Sequence, residues 1–383
     1  MHPLLKPSLR PGWRDLNTVQ FGVAPAHAVV LSPVDTASGS FLSLLDGTRG
    51  LPLLREEAAR MGMDEGYVDR LVARLAGAGL IDDAQPTDPR ARALRRRPAA
   101  LRRLGPDLSS LSVTQRDPGA PLLRLTARRD MRVQVRGAGR VGAVLASVLS
   151  AAGVGQVDVM DGGCVEPGDV SPGGVAETQV GRRRSDAARQ AVRRAAADRP
   201  RRTRAAYRDG TEPPLSLVVL APRDGLRAYF PDEAEAEQFL TTGTPHLYAG
   251  VLEATGFAGP LVLPGSTACA GCVLRHRTDH DPRWPRLLAQ WHSGGRRRAE
   301  ACDLSLATTV AGLAAARALA FLDGHAPDSP GVRWETSLPA LNWHARQLWA
   351  HPACPCGAGS EAPAEGKGEH TSKQAPLHAT MAG

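Results

Sequence analysis

Three glycines at positions 137, 139 and 142, set between two short apolar runs, constrain this chain more than any other feature. Met131–Val135 is short and apolar enough to form a buried strand. Val141–Ala152 reads as an Ala/Leu/Val helix stopped by Gly153, and Val157–Met160 as the next strand, with Asp161 at its C-terminal end. The order carries chemistry. The first glycine permits a tight turn, the second lets backbone approach a phosphate, and the third lets the helix lie close on the strand. The helix N-terminus offers free N–H groups to an anion. An acid closing the second strand accepts hydrogen bonds from ribose hydroxyls. The stretch therefore predicts a nucleotide-type βαβ unit with Gly137, Gly139, Gly142 and Asp161 as its binding residues.

The chain has 383 residues, room for two or three domains, and 42% hydrophobic residues, enough for ordinary cores. Its net charge of +8 is uneven. Residues 1–85 carry eight Lys/Arg against ten Asp/Glu, whereas residues 86–130 carry eleven Arg against four Asp. The basic excess thus sits around an Arg/Pro-rich stretch, 86–106, read here as a solvated linker. Lysine occurs only at Lys6, Lys367 and Lys373. With the abundant Ala, Arg, Gly and Pro this suggests a GC-rich genome, so that much of the arginine reflects base composition. The N-terminus shows no apolar signal segment, and no run reaches the roughly 18 apolar residues of a membrane span. The expectation is a soluble, cytoplasmic protein.

Residues 1–85 read as a small α+β unit. Val19–Val23 and Ala28–Val34 are β-type runs. Three helices follow, around Phe41–Leu45, over Leu51–Met61, and after Asp64 as N-cap, where Tyr67, Val68, Leu71, Val72 and Leu75 fall at helical spacing. Two strands, then three helices, is the pattern of a winged helix. A unit with a net charge of −2 is a poor ligand for a polyanion, whose binding depends on phosphate neutralisation. This excludes DNA as the expected partner and leaves addition of a peptide strand to the sheet edge.

Residues 107–356 read as the α/β domain. After the first βαβ come a loop over 162–180, a basic helix over 182–198, strands at Leu215–Ala221 and His246–Leu252, a hairpin arm at Gly256–Pro264, a small-residue helix at Leu304–Leu322, and late strands at Val332–Ser337 and Ala340–Trp349. Residues 357–383 read as a disordered tail.

Six cysteines are present, and four form two tight pairs, Cys269-x-x-Cys272 and Cys354-x-Cys356. Four soft thiolates on two knuckles suit a tetrahedral structural zinc, with His351 as an alternative ligand. Gly271 and Gly357 give each knuckle a flexible turn. Cys164 and Cys302 remain. Cys302 precedes the Ala-rich helix, where a thiol can have its pKa lowered.

Taken together, residues 131–356 resemble the ThiF/MoeB/HesA family of ubiquitin-like-protein activating enzymes. The features that carry this are the glycine loop, Ala-Gly-Val-Gly at 152–155, Asp161, Val180-Gly181, the late hairpin and the two cysteine pairs. Residues 1–85 resemble the PqqD-like winged helix that binds leader peptides of ribosomally made, modified peptides. The fusion resembles the ThiF-like leader-binding proteins of azole- and azoline-forming cyclodehydratases. The resemblance implies a Rossmann-like ThiF domain with structural zinc, dimerisation through that domain, ATP and Mg2+ as cofactors, and adenylation of a C-terminal glycine.

For active members it further implies an Asp pair after the second strand, an Asn and an Arg in the following loop, a Lys on the next helix, and a magnesium-holding Asp after the third strand. Here Asp161 matches the first acid, but Gly163 stands in place of the second. Asp169 falls near the Asn, Pro172 near the Arg and Arg184 near the Lys. Arg223-Asp224 occupies the place of the metal acid, and Arg140 replaces a small residue in the glycine loop. Cys302 falls near an acceptor thiol. Each change bears on charge, which adenylation must neutralise around a triphosphate. The first reading is therefore a ThiF-family protein with a degraded adenylation site that binds a precursor (leader) peptide and presents it to a partner such as a cyclodehydratase. The alternative is an active adenylyltransferase for a ubiquitin-like protein or peptide, with Asp224 as metal ligand and Cys302 as acceptor. A third, a winged-helix regulator, would need salt-sensitive DNA binding.

Overall fold

The computed structural model describes residues 1–85, 87–198, 214–293, 300–325 and 331–358. They fall into two compact units that part between Ala127 and Arg128.

The first unit opens with β1 (Pro3–Leu5), β2 (Pro11–Asp15), β3 (Thr18–Phe21) and β4 (Val29–Leu31). It continues through α1 (Thr36–Leu42), α2 (Leu51–Arg60), α3 (Tyr67–Gly77) and β5 (Ile81–Asp83). β2, β3 and β4 form an antiparallel three-stranded sheet, and β1 pairs antiparallel with β5, Leu5 opposite Ile81. Phe41, Leu54, Leu75 and Ile81 are fully buried, and Val68, Leu71, Val72 and Leu75 form the core face of α3. The predicted helices are present. Asp64 does not cap α3, because Gly66, at φ 78°, takes the N-cap position in a left-handed turn that a side chain would strain. β1 and β2 carry no signal in the sequence: one is three residues long and the other is exposed at every position.

The stretch 86–106 is not an irregular connector. It carries α4 (Pro89–Arg95) and α5 (Pro98–Arg103), followed by α6 (Gly105–Thr114) and α7 (Ala120–Arg128). Ala91, Leu94, Ala100 and Leu104 are buried. Pro89, Pro98 and Pro106 each lie in a first helical turn, where a missing N–H costs nothing, so they start helices here. Asp88 caps α4 by accepting the N–H groups of Arg90 and Ala91. The buried Lys6 ammonium donates to the Gln115 carbonyl at 2.6 Å and ties this helical segment to the chain just after β1.

The second unit runs through β6 (Arg132–Arg136), α8 (Arg140–Ala151), β7 (Gln156–Met160), α9 (Arg184–Ala195), β8 (Leu217–Leu220), α10 (Gly225–Tyr229) and α11 (Glu233–Thr241). It ends with β9 (His246–Leu252), β10 (Thr255–Val262), α12 (Ala270–His280), α13 (Trp284–Ser293), α14 (Leu304–Leu322), β11 (Val332–Ser337) and β12 (His344–Gln347). One seven-stranded mixed sheet has the order β12-β11-β10-β9-β8-β6-β7. The pairs β6/β7, β6/β8 and β8/β9 are parallel, and the three pairs beyond β9 are antiparallel. Alternation along β8 feeds two cores. Leu217 and Val219 join the one built with α8 and α14, while Val218 and Leu220 join the one that holds Phe239, Tyr248 and Cys272. A strand covered on both faces reads as an unbroken apolar run, which is why β8 is visible in the sequence.

α14 is long and apolar enough to cross a membrane by length and composition. Leu306, Ala307, Val310, Ala311, Ala314, Ala315 and Ala318 are buried in the same core as α8, so its small apolar residues serve close helix packing. Of the predicted tail, Gly357 and Ala358 are described and the rest lies outside the described residues.

Candidate functional site

β6 pairs with β7 on one side and β8 on the other, and the chain reaches them by crossovers in opposite directions. Such a switch point leaves a crevice at the carboxyl ends of the strands. Gly137, Asp161 and Arg223 all lie just beyond those ends.

The glycines divide their roles. Gly137 has φ 108°, and a Cβ there would stand 2.0 Å from the Ala221 carbonyl oxygen. A Cβ on Gly142 would stand 2.1 Å from the Gly137 oxygen, so this glycine lets α8 pack against the turn. Gly139 has an ordinary φ of −77° and a Cβ there would meet only the Arg223 side chain, at 3.4 Å. The turn thus keeps its shape while its opening faces an arginine.

Asp161 is held from three directions. Its Oδ2 accepts the Ala138 N–H at 2.9 Å, and its Oδ1 accepts the Gly163 N–H at 2.8 Å and Arg184 Nε at 2.9 Å. Burial alone would push its carboxyl up. The two backbone donors and the Arg184 guanidinium outweigh that and hold it below the usual carboxylate range. Gly163 is explained by its neighbour: a Cβ there would lie 1.9 Å from Arg184 Nη2, so Arg184 fills the space of the missing side chain.

Asp169 is 2% exposed and fully engaged. Its Oδ1 accepts Arg223 Nε at 2.7 Å, and its Oδ2 accepts the Glu166 N–H at 2.8 Å and Arg184 Nη1 at 3.4 Å. Arg223 also reaches Glu166 at 2.9 Å and Glu300 at 3.2 Å. Arg140 donates to the carbonyls of Gly168 and Cys302, at 2.5 and 2.8 Å. A cavity of about 280 Å3 opens among these groups, lined by two guanidiniums and three carboxylates, with Cys302 at its wall. A second cavity, of about 370 Å3, is lined by Gly137, Asp161, Arg184, Asp224, Arg227 and Tyr248.

The two residues expected to act chemically line different cavities, which adjoin at Pro222 and Arg223. Cys302 lines the first cavity and Asp224 the second. Asp224 caps α10, its Oδ1 accepting the Leu226 N–H at 3.0 Å. The Cys302 thiol is not activated. Burial pushes it above the usual thiol range, with Glu300 and Asp303 adding to the rise against Arg140 and Arg223. Burial outweighs the helix-terminus effect expected from sequence, and Glu300 and Asp303, the latter capping α14, add negative charge beside the sulfur. Glu166 and Glu300 escaped the sequence reading, since no motif or period marks single residues in loops, and the carbonyl partners of Arg140 depend on how those loops fold.

The four paired cysteines are brought together. Cys269 Sγ lies 3.8 Å from Cys272 Sγ and 3.6 Å from Cys354 Sγ, Cys272 Sγ lies 3.5 Å from Cys356 Sγ, and all four sulfurs are within 4.8 Å of one another. Zn–S bonds of ~2.3 Å in a regular tetrahedron place sulfurs ~3.8 Å apart, so the spacing fits a metal ion. The hydrogen bond from the Cys269 thiol draws Cys272 well below the usual thiol range and pushes Cys269 up. Arg275 braces the cluster, donating to Glu233, the Gly271 carbonyl and, at 3.7 Å, Cys354 Sγ. Gly357 is left-handed, at φ 82°, whereas Gly271 lies within α12, where a Cβ would crowd Cys354 Sγ at 3.2 Å. His351 is no ligand here. Its Nε2 pairs with Asp279 at 2.8 Å and its Nδ1 accepts the Ala353 N–H.

Solved structures share this architecture. E. coli MccB superposes with a TM-score of 0.65 at 14% identity, covering 97% of this chain and 100% of its own. MccB solved with ATP gives the same TM-score and identity, covering 93% and 99%. The heterocyclase TruD superposes with a TM-score of 0.59 at 18% identity, and the match spans 93% of this chain but 43% of TruD. At these identities the likeness speaks to fold. No curated protein sequence matches significantly. The ThiF family profile, in contrast, matches residues 120–358, well over half of the chain and the whole of the sheet, the glycine turn and the cysteine cluster. On that match the chain belongs to the ThiF family.

Proposed function

We propose that this ThiF-family protein binds a precursor (leader) peptide through a PqqD-like winged helix at residues 1–85 and presents it to a modifying enzyme such as a cyclodehydratase. Its own adenylation site is reduced. The observation that carries the reading is β2. All five of its residues are exposed, Trp13 by 53%, and among the described strands it pairs only with β3. An open strand edge beside an exposed aromatic ring is what an extended peptide needs to add a strand. Solved matches include MccB in complex with N-formylated MccA and the heterocyclase TruD. These likenesses support a role in peptide modification.

The cleft supports the second half of the proposal. ATP with Mg2+ is poorly served here: the first cavity offers more carboxylate than guanidinium, with Arg140 and Arg223 already holding protein acceptors, and in the second cavity four guanidiniums, Arg223 among them, face four carboxylates and leave no positive surplus for a triphosphate. Four thiolates at these spacings suit zinc, bound structurally, with no position left for substrate.

Isothermal titration of the full chain with synthetic precursor peptides encoded beside its gene tests the reading. Binding should reside in a leader segment and weaken about tenfold in Trp13→Ala, the scale of one aromatic interface anchor. No binding to any such peptide removes the proposal. ATP–pyrophosphate exchange should stay at background. Robust exchange abolished by Asp224→Ala would establish the adenylyltransferase alternative instead.

A further inference from the structure

We propose that the Arg223 guanidinium is a resident cation standing where a divalent ion would sit, so that this ThiF cleft is assembled without metal. The inference rests on the reduced-site half of the proposed function and is independent of peptide binding.

Three carboxylates from two segments converge on this one side chain. Asp169 meets Nε at 2.7 Å, Glu166 meets Nη2 at 2.9 Å, and Glu300 meets Nη1 at 3.2 Å. Glu166 and Asp169 come from the loop after β7, Arg223 from the turn after β8, and Glu300 from the segment before α14. Carboxylate oxygens gathered around a single point are how proteins hold hard divalent cations. Here the positive charge is covalently part of the chain.

Two further observations close the place to a metal. Asp169, the most buried of the three acids, is clamped on its other oxygen by Arg184 and the Glu166 N–H, so three of its roughly four lone-pair sites already accept protein donors. The Arg223 stem lies against Gly139, within 3.4 Å of where a Cβ would be, so a metal–phosphate group at the glycine turn would have to displace it. A guanidinium satisfies carboxylates by donating N–H bonds but offers nothing to coordinate, so it organises the loops and cannot draw in a second cation.

Manganese titration of the zinc-loaded full chain, read by electron paramagnetic resonance, tests this. The parent and Arg223→Lys should take up no Mn2+ at millimolar concentration. Arg223→Ala should bind one equivalent with a Kd at least about tenfold below the millimolar concentration at which the parent stays empty, because the acids lose their internal counter-charge. Adding Asp169→Asn should abolish that gain. Mn2+ bound by the parent and lost in Asp169→Asn overturns the proposal. So does Arg223→Ala that keeps the parent's circular dichroism and gains no Mn2+. Should that variant not fold, the parent and Arg223→Lys titrations still decide. Metal uptake by the parent with exchange at background overturns only the resident cation, whereas pyrophosphate exchange by the parent overturns the reduced site itself.

Discussion

Cys269 and Cys354 bring their sulfurs to 3.6 Å although 85 residues separate them. The pair joins the N-terminus of α12 to the end of the described chain, and Cys272–Cys356 repeats the link at 3.5 Å. A metal held there closes a long loop, and its binding free energy is folding free energy.

Purified protein should therefore carry one zinc per chain by atomic emission. Cys354→Ser should cost more than about 4 kcal/mol of unfolding free energy in the second unit, the scale of a lost structural metal. Stoichiometric zinc-free protein with an unchanged melting temperature would refute this.

The buried Arg128–Asp323 pair is the clearest stability determinant away from the cleft. The contacts are 2.8 and 2.6 Å, both side chains are about 5% exposed or less, and Arg128 also donates to the Ala152 carbonyl. Asp323→Ala should cost about 3–5 kcal/mol in denaturant titration, because it strands a buried cation. The double replacement Arg128→Met with Asp323→Leu should be far milder, as neither charge then needs solvation.

The glycine turn makes a graded prediction. Gly137→Ala must accept a positive φ and a contact with the Ala221 carbonyl, so it should cost about 3 kcal/mol or more. Gly139→Ala has room and an ordinary φ and should stay within about 1 kcal/mol. Equal losses at the two positions would contradict the division of roles.

Asp161 sets an acid limb. Its folded pKa lies below the ordinary 3.8, so the stability it contributes is complete above that value and is lost as pH falls through the depressed one. Asp161→Asn should melt below the parent at neutral pH, and the two curves should converge under strong acid. A gap independent of pH would show that the charge is not the cause.

Cys302 should be slow to alkylate. Burial raises its thiol while Cys164 is exposed, so iodoacetamide at neutral pH should label Cys164 well before Cys302 in zinc-loaded protein. Preferential labelling of Cys302 would revive it as an acceptor thiol.

Much of the α/β half is legible along the chain. His246–Leu252, Leu304–Leu322 and Val332–Ser337 appear at the predicted boundaries, and β8 falls within its predicted run. Strands buried on both faces and a helix of small apolar residues leave composition signals that survive any context. α10 to α13 went unseen because they are short or mostly polar on the surface. α4 and α5 were masked by prolines that initiate helices, and by arginines whose exposed side hides Ala91 and Leu94 beneath.

Residue type and spacing alone determined that a glycine turn, a closing acid and two thiol pairs exist, since those signals are local and each is written within a few positions. Only the tertiary structure decided what the charged residues do. Asp169, Arg184, Arg223 and Glu300 come from four distant segments, and Coulomb attraction between groups a few ångströms apart depends on where the sheet delivers them. An arginine read in sequence as a lost acid thereby becomes the cation around which the cleft is built.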